Sequence, residues 1–303
     1  MLRSLLVPLD GSEFSERTLP LARGLARATG ATLHLAHVHV SHAPDHFLSN
    51  TQFQFEGLDM DEYERRHRRE EEVYLADVES RVGGDASVDS ALLEGVVADQ
   101  IAEYAARVGA DMVLMTTHGH TGVNRMWLGS VADALVRQTT LPLLIVHPAP
   151  GAQVPKDVTS IEHILVPLDG SELSASILEP AADLARAVGA RLTLLHVVSA
   201  TAPLGPRIFP LSATDIEQAT ERAEERLEAT AAELREEGLS VDTHVEAHDV
   251  VGRAIADVAE RLDADLIALA THGYGGIKRA LLGSVADKVL RSSARPLLVK
   301  RPD

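Results

Sequence analysis

Short apolar runs alternate with longer stretches of helical spacing along almost the whole chain. Leu5–Leu9 is one such run, closed by Asp10-Gly11, and predicts a buried strand. Residues 15–28 have helical spacing and end at Gly30, suited to the left-handed residue that closes a helix. Pro20 falls near that helix's first turns, where proline is tolerated. Leu33–Val40 predicts a second strand, residues 61–82 a long charged helix, and residues 87–93 a third strand. A helix over 97–108 and a strand over 112–116 follow. Then come a glycine-spaced loop, a helix over 130–138 and a last strand over 143–147. The second half repeats this order, with strands near 164–168, 191–198, 240–247, 266–270 and 296–300. Val/Ile/Leu-rich strands alternating with helices imply a parallel sheet covered on both faces. The expected fold is α/β: two repeated doubly wound domains, each a five-stranded parallel sheet flanked by helices.

The repetition is literal in places. VPLDGSE occurs at Val7–Glu13 and again at Val166–Glu172, and LARATGATLHLAHV (Leu25–Val38) is echoed by LARAVGARLTLLHV (Leu184–Val197). THGHTGVNRMWLGSVAD (Thr117–Asp133) and THGYGGIKRALLGSVAD (Thr271–Asp287) share eleven of seventeen positions. The offset is 166 − 7 = 159 residues early in the repeat and 271 − 117 = 154 at the loop. The first copy thus carries five extra residues between its second strand and its loop. A period of this size means two domains and not a solenoid. The Pro- and Gly-rich stretch His147–Ser160 marks the joint. The expected boundaries are 1–149 and 161–303, with 150–160 as linker.

Composition narrows the partners. Lys plus Arg is 28 against 45 Asp plus Glu, a net charge of −17, which repels phosphate backbones and anionic membranes. With no cysteine, disulfides and thiolate metal sites are excluded. The apolar run at the N-terminus is too short for a signal-peptide core, and no stretch reaches a membrane span, so a cytoplasmic protein is expected. The charged helix mixes both signs and reads as a solvated face with i,i+4 pairs, not a nucleic-acid stripe.

The candidate chemistry lies where strands end. In a doubly wound sheet, ligands bind outside the carboxyl ends of the strands. Asp10 and Asp169 end the first strand of each copy, and the glycine loops begin at the end of the fourth. Gly129-Ser130 and Gly283-Ser284 stand at predicted helix starts, where serine is a good N-cap and free backbone N–H groups suit a phosphate. Arg125 and Arg279 hold equivalent loop positions and could add charge. GxxxxGK[ST] does not occur, so the loop is not a Walker loop, and the absence of GxGxxG counts against a dinucleotide fingerprint.

VPLDGSE, the LxHV at the second strand and the THG…LGSVAD loop together resemble the universal stress protein family, twice over and across almost the whole chain. The family's nucleotide motif is Gly, two residues, Gly, nine residues, then Gly followed by Ser or Thr. Gly119 and Gly129-Ser130 meet that spacing, as do Gly273 and Gly283-Ser284. The pattern departs at its first glycine, where Thr116 and Ala270 stand; threonine would crowd the ribose or phosphate. The resemblance implies an adenine nucleotide alpha hydrolase-like fold and an adenine nucleotide ligand: ATP, ADP or AMP, with or without Mg. Asp10 and Asp169 would contact the adenosine end, beside Pro8 and Pro167. Val38 and Val197 would pack on adenine, with Met115 and Leu269 lining the same slot. His118 with Gly119, and His272 with Gly273, would border the phosphates. Gly129, Ser130 and Val131, with Gly283, Ser284 and Val285, would bind them. The resemblance further implies that the last strands of the two copies pair across a pseudo-two-fold, one chain imitating a dimer; a homodimer of chains is left open.

The expected role is a stress-response binding module and not an enzyme. The alternatives are a slow ATPase using the same pocket and a structural or signalling dimer without nucleotide. No repeated pair of carboxylates suggests acid–base work, and no relay accompanies Ser130. Five histidines cluster at His34, His37, His39, His42 and His46. Only Asp45 lies near them as an acid along the chain, so no metal site is expected.

Overall fold

The computed structural model describes residues 2–41, 60–84, 86–116, 129–146, 161–204, 207–271 and 283–302. The first half runs β1 (Ser4–Leu9), α1 (Glu13–Glu16), α2 (Leu19–Thr29), β2 (Thr32–His39), α3 (Met60–Val82), β3 (Val88–Glu94), α4 (Val97–Val108), β4 (Met112–Thr116), α5 (Ser130–Gln138) and β5 (Leu143–Val146). The second half runs β6 (His163–Pro167), α6 (Glu172–Ala175), α7 (Leu178–Val188), β7 (Arg191–Ser199), β8 (Thr201–Leu204), β9 (Arg207–Pro210), α8 (Ala213–Glu236), β10 (Val241–His248), α9 (Val251–Arg261), β11 (Leu266–Ala270), α10 (Ser284–Ser292) and β12 (Leu297–Lys300).

Ten strands form one sheet in the order β10-β7-β6-β11-β12-β5-β4-β1-β2-β3. Each half contributes five strands paired in parallel, in the doubly wound order that starts outward from β1 or β6. The two last strands meet at the centre. β5 and β12 pair antiparallel, with Leu144 opposite Leu298, Ile145 opposite Leu297 and Leu143 opposite Val299. Period-two alternation sends each strand's side chains to two faces. Leu5, Val7, Leu33, Leu35, Leu144 and Leu298 pack on one face with residues of α2, α3, α7 and α8. Leu6, Val38, Met115, Leu143 and Leu269 pack on the other with α4, α5, α9 and α10. Both apolar layers run through both halves without a break at the seam.

Two differences from the expected elements have local causes. The single helix expected over 15–28 is two, α1 and α2, because Pro20 has no N–H to continue α1's ladder. α2 restarts at Leu19 with the proline as its second residue, and Pro180 is the third residue of α7. The hairpin β8–β9 is not foreseen from the sequence: two four-residue strands carrying Pro203 and Pro210 give little strand signal.

The duplication extends to hydrogen bonds. Asp111 Oδ2 accepts from the backbone N–H groups of Arg3 (2.6 Å) and Ser4 (3.0 Å), tying β1 to the start of β4. Asp265 Oδ2 does the same for Glu162 and His163 at 2.9 and 3.0 Å. His163 is buried; its Nδ1 donates to the Leu262 carbonyl at 3.2 Å and its Nε2 accepts from Thr193 Oγ1 at 2.7 Å, which fits a neutral ring. Burial first, and then the Arg191 charge, hold its pKa below the ordinary histidine value. The unfolded chain therefore binds this proton more readily. The stability His163 contributes is complete above about pH 6.5 and is lost as pH falls from there through its depressed folded value. His34 and His196, both lowered mainly by burial, act with the same sign. Urea unfolding at pH 7.5 and pH 5.5 should show the lower stability at pH 5.5, and His163→Gln should make the difference smaller. An unchanged difference in that variant would exclude His163 as a contributor.

Candidate functional site

Three repeated pieces stand at the carboxyl ends of the strands. The first is the turn after strand one. Gly11 and Gly170 take φ of 80° and 81°, a conformation open to glycine, so the chain reverses directly after Asp10 and Asp169. Asp10 Oδ1 accepts from Ser12 N (3.0 Å) and Ser12 Oγ (2.6 Å), and Ser12 Oγ in turn caps α1 through Ser15 N at 3.2 Å. Asp169 Oδ1 accepts from Ser171 N (2.9 Å) and Ser171 Oγ (2.5 Å), and Ser171 Oγ from Ser174 N (3.1 Å). One carboxylate oxygen is thus used to shape the turn, which fixes where the rest of the side chain stands. The aspartate and the serine of VPLDGSE belong to this network in both copies.

The second piece is aliphatic. Val38 and Met115 in one half, and Leu269 in the other, are buried on the same face of the sheet, and Val197 packs partly buried beside that layer. Pro8, one residue before the end of β1, and Pro167, the last residue of β6, are half-buried. Thr116 is buried at the end of β4, while Ala270 is half-buried at the end of β11. The third piece is a helix start. Gly129 and Gly283 are the N-caps of α5 and α10, with no side-chain cap on either helix. This corrects the expectation that serine caps these helices. Glycine takes the extended cap conformation, so Ser130 and Ser284 become the first helical residues, exposed, with Val131 and Val285 next. Gly283 N donates to the Thr271 carbonyl at 2.7 Å, which fastens α10's start to the end of β11. His118, Gly119, His272, Gly273, Arg125 and Arg279 lie outside the described residues.

The two sites differ around this common frame. Arg226 of α8 lies over the second turn: a Cβ on Gly170 would stand 3.1 Å from its Nη1. The first turn instead has Tyr74 of α3 beside it. Burial first, and then the Glu16 charge, push that phenol's pKa well above its usual range. The second copy also packs α10 more tightly. A Cβ on Gly252 would come within 2.8 Å of Lys288 Cβ and 3.2 Å of the Val285 carbonyl, whereas the first copy has Ala98 at the matching place. Gly252→Ala should therefore destabilise the second half by about 1–3 kcal/mol despite alanine's better helix propensity. Thermal melting checks this; an unchanged or raised transition would mean that α10 gives way freely.

The metal reading of the sequence considered acids near the histidines along the chain and found only Asp45. The fold supplies others from α3. Glu64, His67 and Glu71 fall three and four residues apart on one helical face, and that face meets His37 and His39 of β2. The signal was present as E-x2-H-x3-E opposite H-x-H, but only a contact between helix and strand joins the two.

Two doubly wound α/β units in one chain, fused into one sheet and carrying the same three pieces at their strand ends, define a tandem repeat protein of the doubly wound α/β class. The universal stress protein family's profile matches residues 1–147 and again 160–301, and the chain belongs to that family. A universal stress protein of Mycobacterium tuberculosis is 30% identical over 195 residues, 63% of this chain and 62% of its own length. Another from the same organism is 27% identical over 240 residues, 78% of this chain and 72% of its own. The chain thus spans about three fifths of the first of these relatives. A crystal structure of a universal stress protein from Archaeoglobus fulgidus superposes with a TM-score of 0.69 at 19% identity, covering 98% of both chains, a likeness of fold. Among the described residues no helix is long and apolar enough to cross a membrane.

Proposed function

We propose that this tandem universal stress protein binds an adenine nucleotide, ATP or its ADP and AMP relatives, in each half, and works as a regulatory binding module. One observation carries the reading. In both halves the aspartate turn follows the first strand, aliphatic residues lie near the carboxyl ends of the second and fourth, and a glycine-capped helix precedes the last. An aliphatic slot suits a purine, a carboxylate suits ribose hydroxyls, and a helix N-terminus with free N–H groups suits phosphate. On this reading Pro8, Asp10, Val38, Met115, Gly129, Ser130 and Val131 serve one nucleotide. Pro167, Asp169, Val197, Leu269, Ala270, Gly283, Ser284 and Val285 serve the other. The loop glycines and histidines would complete both cradles. Thr116 makes the first site the tighter fit. The antiparallel β5–β12 pairing supports a second part of the proposal, that the two halves act as a pseudo-dimer built into one chain.

The test is to denature the purified full chain and quantify released adenine nucleotide by chromatography, then to titrate the emptied protein with ATP. About two per chain supports two working sites. About one supports a site narrowed by Thr116, and Thr116→Gly should then restore the second. None released and none bound at millimolar ATP overturns the nucleotide reading in favour of a structural dimer module.

A further inference from the structure

We propose that the first half carries a zinc site, built by His39 of β2 with His67 and Glu71 of α3. His39 Nδ1 stands 2.6 Å from Glu71 Oε2, and His67 Nδ1 stands 3.3 Å from Glu71 Oε1. One ligand atom from each of the three residues lies within 4.8 Å of the others. Zinc bonds of about 2.0–2.1 Å in a tetrahedral arrangement place neighbouring ligand atoms about 3.3 Å apart, so small side-chain shifts suffice.

The placement of carboxylates around His39 suits a metal ligand. Both of its ring nitrogens face carboxylates, Nδ1 facing Glu71 at 2.6 Å and Nε2 facing Glu64 at 3.0 Å. His39 itself is 3% exposed. A zinc ion bound by Nδ1 and Glu71 would leave Nε2–H to donate to Glu64, and His67 Nδ1 stands on the same Glu71 carboxylate. The Glu64 contact then becomes the usual outer support of a metal-bound histidine, a carboxylate on the far ring nitrogen that fixes the ring and raises its basicity. His37 Nε2, 3.3 Å from Glu71 Oε1, braces the same carboxylate. Two imidazoles and a carboxylate, with no thiolate in the chain, suit zinc and leave a fourth position for water. The partly exposed ring of His67 gives the ion a way in.

The duplicated half is an internal control. Val198 of β7 stands where β2 has His39, and the buried face of α8 is Ala223, Leu227, Ala231 and Leu234. The scaffold therefore forms without the polar cluster, and packing alone does not require it. The site also lies apart from the proposed nucleotide slot. Val38 faces the α4–α5 side of the sheet, and His37 and His39 face α3 on the other, so this inference does not depend on nucleotide binding.

Metal-stripped full-length protein is titrated with Zn2+ against a chromophoric chelator, and the histidine ring signals are followed by NMR. One zinc per chain is expected, at submicromolar Kd, with the His39 and His67 signals moving together. His67→Ala and Glu71→Gln should each weaken it at least tenfold, while His248→Ala, far along the chain, should not. His67 lies on the outer part of α3, and an unchanged metal-free melting curve will show that its variant folds. If a variant is unfolded, the wild-type ring signals decide alone. Absence of stoichiometric zinc at micromolar concentration, equal affinity in both folded variants, or movement of other histidines instead would each overturn the site.

Discussion

Leu144→Ala and Leu298→Ala should each lower the melting temperature of the whole chain, not of one half. The two leucines are fully buried, face each other across the β5–β12 seam and belong to one apolar layer that crosses it. Truncating a leucine in such a place costs about 3 kcal/mol, because the lost transfer energy is joined by a cavity that packed neighbours only partly close. For 303 residues unfolding together that corresponds to roughly 5 °C. Because the side chains touch, the double variant should lose less than the sum of the two. Differential scanning calorimetry checks all of this. The expected result is one transition, moved by a substitution on either side. Two transitions, only one of them moved by Leu144→Ala, would mean that the halves unfold independently and that the seam is a weak contact.

Asp169→Ala should weaken adenine-nucleotide binding at the second site by about 10–100-fold, the usual cost of losing a hydrogen bond to a charged group. The same carboxylate also shapes its turn through Ser171, so alanine removes two internal bonds as well. Asp169→Asn separates the two roles. Its amide oxygen can still accept from Ser171, while the charge offered to the ribose is gone. Weakened binding with an unchanged melting curve in the Asn variant would assign the effect to nucleotide contact. Wild-type affinity in both variants would leave Asp169 as a turn residue only and would remove the central support of the proposed site.

The comparison of the two halves gives these tests their precision. Each half contains the same turn, slot and helix start, yet Arg226 lies over one turn and Tyr74 beside the other. A ligand common to both sites therefore meets a cation near the second aspartate and a buried phenol near the first. If both bind nucleotide, their affinities should differ.

Much of this was legible from residue order. Strands and helices followed from hydrophobic period, because a parallel sheet covered on both faces leaves continuous apolar runs such as Leu5–Leu9 and Leu266–Ala270. The duplication was legible because VPLDGSE is constrained residue by residue: Asp10, Gly11 and Ser12 each have a place in one short turn. Local hydrogen bonds connect neighbours in the chain, so they leave motifs. The break before Pro20 was half legible, since the proline was read correctly as an early helical residue but not as the cause of two helices. What tertiary structure alone decided are contacts between distant segments. The register of β5 on β12 depends on two edges 154 residues apart meeting face to face. The cap at α5 went to Gly129 and not Ser130, which takes helical angles as the first residue of the helix. The gathering of Glu64, His67 and Glu71 around His39 needed a 23-residue helix to lie across β2 at one rotation about its axis. The sequence specified that the helix would form; only its packing against the sheet determined which of its charged residues would be brought inside.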